Sequence, residues 1–212
     1  MNNSAKNRLK DNIFKVFGII STLIGLVILA IFIGNILKDG LSRIDFDFLN
    51  SLPSRKAEKA GILTAWTGSL WVVIFTFLIA VPLGVCAGIY LEEYAKKGKL
   101  SSILEINISN LAGVPSVIYG LLGLEIFVRV FKLGSSILAG SFTLALLILP
   151  IVIVATREAL KSVPKSIRTA SFGLGASKWQ TIWHQTLPAA FGGIVTGVIL
   201  AISRAIGETA PL

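Results

Sequence analysis

Arg204 and Glu208 stand four residues apart in the segment SRAIGETAPL, directly after a long apolar run. At that spacing two side chains pair along one face of a helix. A charge at mid-bilayer costs about 2.5–3.5 kcal/mol on insertion scales, so it survives where it faces a wet cavity or a partner. A guanidinium offers five fixed donors that suit the oxygens of an anion, and a neighbouring carboxylate moderates its hold. The same spacing also fits a structural ion pair, or an arginine reaching the membrane surface. Leu187 to Arg204 spans 18 residues, about 27 Å as a straight helix, and the sequence leaves open whether Arg204 lies at the midplane or nearer the far side.

Other residues able to do chemistry are few. Glu125 and Arg129 form a second i, i+4 pair near the end of an apolar stretch, where a solvated interface pair is expected. His184 is the sole histidine and Cys86 the sole cysteine. An internal disulfide and a histidine metal cluster are therefore excluded, and Cys86 is expected to be a small buried apolar residue. Gly98-Lys99 is followed by Leu100 and lacks the earlier glycine of a phosphate-cradling loop, so the chain is not expected to hydrolyse nucleotide by itself. No Ser/His or paired-Asp constellation falls in the apolar stretches, which counts against an intramembrane enzyme. Neither catalytic residues, nor a metal site, nor a cofactor is expected.

The elements that must carry Arg204 are apolar spans. Hydrophobic residues make up 54% of the chain and charged ones 15%, against about 25% charged in ordinary soluble domains. The net charge of +9 comes from short basic clusters between apolar runs, a topology signal and not a nucleic-acid footprint. Five stretches reach the roughly 20 residues that cross a bilayer as helix, at about 14–37, 62–91, 106–131, 133–156 and 187–212. The first is too long for the apolar region of a signal peptide and has no A-x-A site after it, so an uncleaved span is expected. Twelve basic residues, among them Lys6, Lys97 and Lys165, flank the spans on the side of the N-terminus, and seven flank the other side. This favours an N-terminus inside. An N-inside chain of five spans ends outside, yet it stops on Pro211-Leu212 without a polar tail, so a fragment lacking at least one further span is expected. The fold class is all-α, a polytopic transmembrane bundle with five spans present of six. Residues 1–61 are expected to form an N-terminal span with an external loop, and 62–212 a core carrying a cytoplasmic loop at 157–188.

Two spans contain helix breakers. Gly113 and Pro115 sit inside the third, where proline frees backbone groups at membrane depth. This is either a packing kink eased by small residues or an opened backbone that lines a solute path near Ser116, with Tyr119. Val81-Pro82-Leu83-Gly84 in the second span is expected to be only a kink.

The loop from Arg157 to Pro188 is too polar to span and too patterned to be a mere connector. Helix formers with basic residues outward run to Phe172, and Gly173 and Gly175 then break the helix. Ser177 is a candidate N-cap for a short second helix carrying Trp179, Ile182 and Trp183, with Pro188 opening the next span. Trp179 and Trp183 would also suit an interfacial aromatic belt.

This loop resembles the E-A-A-x3-G-x9-I-x-L-P loop of ATP-binding-cassette importer permeases. Gly175 anchors the comparison, with Ala170 at the second position and Leu187-Pro188 at the end, while Thr169, Ser171 and Gln185 depart from it. Residues 60–95, 110–124, 149–170 and 192–212 are in turn similar, in order, to the permeases of phosphate importers of the PstA type. The resemblance implies that Ala170, Gly175, Ala176, Ser177, Trp179, Leu187 and Pro188 couple to a cytoplasmic ATPase. It also associates R-x-x-G-E-T-A-P, here Arg204 to Pro211, with phosphate passage. It implies as partners a homologous second permease, an ATPase dimer, an extracytoplasmic phosphate-binding protein and the lipid bilayer. A permease for sulfate or molybdate would share the loop, so that alternative stays open.

Overall fold

The computed structural model describes residues 3–56, 59–96 and 98–209, and every described element is helical. Lys97 and Ala210 to Leu212, on which the charge count and the motif at the end partly rest, lie outside the described residues. The chain forms two compact units, 1–65 and 66–212. In the first, α1 (Asn3–Gly40) contains a 31-residue apolar helix, Lys10–Gly40, long enough to cross a bilayer. A short helix α2 (Phe46–Asn50) follows, started by Asp45, whose carboxylate accepts from the Phe48 amide at 2.7 Å.

The second unit is built around α6 (Ile137–Lys161). On one side lies α3 (Leu63–Ile89), which continues as a π-helical turn, Tyr90–Tyr94. Its buried residues are Thr76, Ala80, Gly84 and Gly88, a stripe at intervals of four. The Gly88 backbone lies so close to α6 that an added Cβ would stand 2.7 Å from Thr156 Cβ. Polar groups cross the same seam: Thr76 Oγ1 donates to the Ser141 carbonyl at 3.4 Å, and Ser141 Oγ stands 3.2 Å from the Val72 carbonyl. On the other side α9 (Leu187–Gly207) packs along α6 through Gly193 and Gly197, against Ala159 and Ala155. Lipid tails are as apolar as leucine, so van der Waals packing between small residues is what holds such helices together.

Three expectations about these elements are corrected. The stretch 106–131 is not one continuous helix: α4 (Lys99–Leu111) and α5 (Ser116–Gly123, prolonged as a π-helix through Leu124–Val130) meet at a bend of 99°. Pro115 lacks the amide proton and pushes Val114 out of the helical region, so the chain turns between them. Among the described residues, four helices are thus long and apolar enough to cross a membrane, or five with the bent pair counted as one. Second, the short helix after Gly175 is not separate from the last span. α8 (Lys178–Thr181) runs through a π-helical segment, Ile182–Thr186, into α9 as one 30-residue helix, Lys178–Gly207. The π-helical turn sits where Pro188 cannot supply a regular hydrogen bond. Third, Cys86 is exposed, not buried. Two residues beyond Gly84, it is turned about 200° away from the stripe that meets α6. Pro82, by contrast, leaves α3 unbroken, as expected.

The α6–α9 seam gives a direct test. Gly197→Val should overpack against Ala155 and lower stability by about 1–3 kcal/mol. Adding Ala155→Gly should recover part of the loss. Thermal unfolding of the purified chain in detergent, followed by tryptophan fluorescence, reads both.

Candidate functional site

The segment between α6 and α9 is a helix–turn–helix with defined caps. α6 ends at Lys161, and Pro164 starts α7 (Lys165–Gly173). Gly175 takes φ +83°, a conformation glycine adopts without strain. Around it the Gly175 amide donates to the Phe172 carbonyl at 2.9 Å, and the Ala176 amide to the Ser171 carbonyl at 3.2 Å. This is a Schellman turn, which satisfies the last carbonyls of α7. Ser177 then opens α8 with a capping box: its hydroxyl accepts from the Gln180 amide at 3.3 Å, while Gln180 Oε1 accepts from the Ser177 amide at 2.8 Å. The Ser171 and Thr181 hydroxyls, 2.9 Å apart, tie the two helices together.

Beside exposed polar residues such as Lys165, Lys178 and Gln180, this unit presents large apolar ones. Leu174, at the turn, is 90% exposed, and Phe172, Trp179 and Trp183 are about half exposed. The two indoles meet edge to face at 5.4 Å. Lys178 Nζ lies 4.9 Å above the Tyr94 ring at the end of α3. A groove of about 670 Å³ runs under the turn, lined by Ala170, Gly175, Ala176 and His184 among others. The expected residues Ala170, Gly175, Ala176, Ser177 and Trp179 are thus gathered on one surface, while Leu187 and Pro188 belong to the first turn of α9.

The basic residues here do not all point outward as expected. Arg157 lies within α6, its side chain only 9% exposed, 2.9 Å from Glu105 of α4 and 3.7 Å from Glu92 at the end of α3. Arg168 of α7 reaches Glu93 at 2.7 Å. Lys161 bonds Glu158 and stands 3.6 Å from Glu105. Burying two long cations in this way is tolerable only because each finds carboxylates. Sequence reasoning missed Glu92, Glu93 and Glu105. Their signal was an adjacent acidic pair closing an apolar span just ahead of a lysine cluster.

At the other end of α9, Arg204 Nε and Glu208 Oε1 are 3.5 Å apart. Glu208 is already outside the helix, with an extended backbone, so the pair is loose. The Arg204 side chain is 41% exposed, and its terminal nitrogens have no protein partner among the described residues. Tyr119 lies close by, in one buried cluster with Ala201 and Ala205 and within electrostatic reach of Arg204. It does not line an open path, however. It is buried, and its hydroxyl donates at 2.8 Å to the carbonyl of Leu111, at the end of α4. The tyrosine thus pairs a backbone group next to the break. Ser116 is half-buried in the first turn of α5. Glu125 and Arg129 form the expected exposed pair at 2.8 Å.

A bundle of apolar helices, closed at one end by a capped helix–turn–helix with an apolar outer face, defines a polytopic membrane permease. Residues 80–212 match the model of the family described as binding-protein-dependent transport system inner membrane component, and the chain belongs to that family. It is 34% identical to the probable ABC transporter permease protein YqgI of Bacillus subtilis (strain 168), over 93% of this chain and 67% of that protein. It is 40% identical to YqgH of the same organism, over 86% and 62%. To the phosphate transport system permease protein PstA of Haemophilus influenzae it is 38% identical, over 91% and 68%. The chain thus spans about two thirds of the length of these curated relatives. Among solved structures, an inward-facing MetNI methionine ABC transporter superposes with a TM-score of 0.56 at 19% identity, over 69% of this chain and 68% of that one. This likeness establishes the fold.

Arg157 supplies the test of the ion pairs. Arg157→Gln leaves Glu92 without its cation and Glu105 with Lys161 alone, and should cost about 1–3 kcal/mol. Arg157→Met with Glu92→Gln and Glu105→Gln should recover most of it. Unfolding midpoints in detergent compare the two.

Proposed function

We propose that this permease is the PstA-type subunit of an ATP-driven phosphate importer, with its N-terminus inside the cell. Several relatives that carry the phosphate-transport name, from different bacteria, are 32–38% identical over most of the chain. In this reading a homologous second permease completes the membrane pathway, a cytoplasmic ATPase dimer drives it, and a phosphate-binding protein delivers solute at the outer face.

The observation that carries the coupling role is the outward apolar surface of α7–α8, with Leu174 at its apex. An apex this exposed, on a turn made rigid by a Schellman motif and a capping box, suits insertion into a groove on a soluble partner. Because α8 continues into α9, a push on Trp179 is delivered along one helix towards Arg204, about 38 Å away at helical rise. The free end of the Arg204 fork is the element suited to phosphate oxygens. Glu208, 3.5 Å away, keeps the guanidinium from holding the anion permanently, and Tyr119 acts indirectly by supporting the backbone at the break.

Two experiments test this in the full-length chain assembled with its partners. Leu174→Asp or Gly175→Val should leave the protein in the membrane but lose ATPase co-purification or solute-stimulated hydrolysis; wild-type coupling in both refutes the docking role. For the pathway, labelled-phosphate uptake is measured in cells lacking their own transporter, with sulfate and molybdate as competitors and membrane levels checked by blot. Arg204→Gln removes charge-assisted bonds of about 1.5–3 kcal/mol, so uptake should fall roughly ten- to a hundredfold. Arg204→Lys should recover only part. Normal uptake by Arg204→Gln, or rescue by adding Glu208→Gln, leaves Arg204 a structural residue. Competition by sulfate or molybdate equal to that by phosphate refutes the selectivity.

A further inference from the structure

We infer that Arg168 is a positioning residue: it straps α7 to the ends of α3 and α6, so that movement of the α7–α8 unit is delivered to those two spans as well as to α9. The inference rests on the reading of α7–α8 as the docking segment. One guanidinium serves three elements. Its Nη2 donates to Glu93 Oε1 at 2.7 Å and to the Leu160 carbonyl at 2.9 Å, its Nε to Glu93 Oε1 at 3.2 Å, and its Nη1 to the Val163 carbonyl at 2.9 Å. Glu93 lies in the π-helical turn that ends α3, Leu160 in the last turn of α6, and Val163 in the turn that follows. The two side chains are only 19% and 10% exposed, so water competes poorly for the pair.

Apart from Arg168, α7 is held mainly by its contacts with α8 and the π-helical segment Ile182–Thr186. It has no buried residue; only Ile167 packs, partly buried, against the cluster of Leu160 and Val163. Its flank towards α4 borders a cavity of about 790 Å³ instead of packed side chains. The direct tie to α8, Ser171 to Thr181, leads only to α9. Without Arg168, α3 would keep only the Lys178–Tyr94 contact with the docking surface, and α6 only the chain link through Ser162 to Pro164, so both would follow a displaced α7 less closely. A lysine could meet Glu93 but not both carbonyls, because it is a point charge without the planar fork.

The measured quantity is ATP hydrolysed per phosphate transported, in proteoliposomes holding the assembled importer. Glu93→Gln with Arg168→Gln removes both charges, so no orphan charge is left to unfold the chain. The ATPase should co-purify as before, and the ratio should rise roughly tenfold or more; Arg168→Lys should fall between. A merely structural role would lower the amount of complex and leave the ratio unchanged. A Glu93→Cys and Arg168→Cys pair in a Cys86→Ser background should show the raised ratio when unlinked and recover when joined by a short bis-maleimide. An unchanged ratio in the double Gln variant overturns the strap, as does a linked pair that stays uncoupled. If Leu174→Asp also leaves ATPase co-purification intact, the docking reading itself fails; if Leu174→Asp abolishes it, only the strap does.

Discussion

The close approach of two helices to α6 is the constraint on which the bundle depends. In lipid, apolar side chains gain little by leaving the tails, so helices associate where backbones come near enough for dense contact and a few hydrogen bonds. α6 meets that condition on two faces, against Gly84 and Gly88 of α3 and against Gly193 and Gly197 of α9. Leu144, Ile148, Val152 and Leu160 are completely enclosed as a result. The same helix emerges from the apolar region at Arg157 and Lys161, where α3 and α4 are held to it by charge instead of by packing. One element therefore carries both kinds of contact, and the position of every described helix from α3 to α9 is set with reference to it.

How far the sequence discloses this depends on how local each interaction is. Span lengths, the glycine turn at Gly175 and the Ser177 cap depend on neighbouring residues, and they came through. The ion pairs did not: Arg168 and Glu93 are 75 residues apart, and no periodicity connects them. The outward assignment of Arg157 followed from treating 157–161 as loop, when in fact α6 continues to Lys161. The side of α3 that Cys86 occupies was equally hidden, since nearly all of α3 is apolar and only the spacing of Thr76, Ala80, Gly84 and Gly88 marks its inner face. At the candidate pathway, Arg204 and Tyr119 were both singled out, but the single proton of the tyrosine hydroxyl is committed to Leu111 in a way that residue types alone do not specify.

The break between α4 and α5 and the charged end of α9 are neighbours through Tyr119. It shares a buried cluster with Ala201 and Ala205, and its hydroxyl donates to the carbonyl of Leu111 at the end of α4. The Leu111 carbonyl also accepts from the Val114 amide at 3.1 Å, so the tyrosine is its second donor. The tyrosine thus links the end of α4 to the buried cluster that includes the helix carrying Arg204. The bend is thereby a fixed corner of the structure with its own polar support.

The π-helical segment at Ile182–Thr186 has a further consequence. A π-turn accommodates one residue more than an α-turn over the same rise, so it acts as a phase shifter between two stretches of helix. Below it, the azimuth of Trp179 and Trp183 is set; above it, that of Ala201, Arg204 and Ala205. Losing one residue there would give ordinary α-helix with the two stretches still in phase, whereas closing the wide turn to α-helix at the same length would slip them by about 100°. The length of this one turn is therefore an angular setting, independent of side-chain identity.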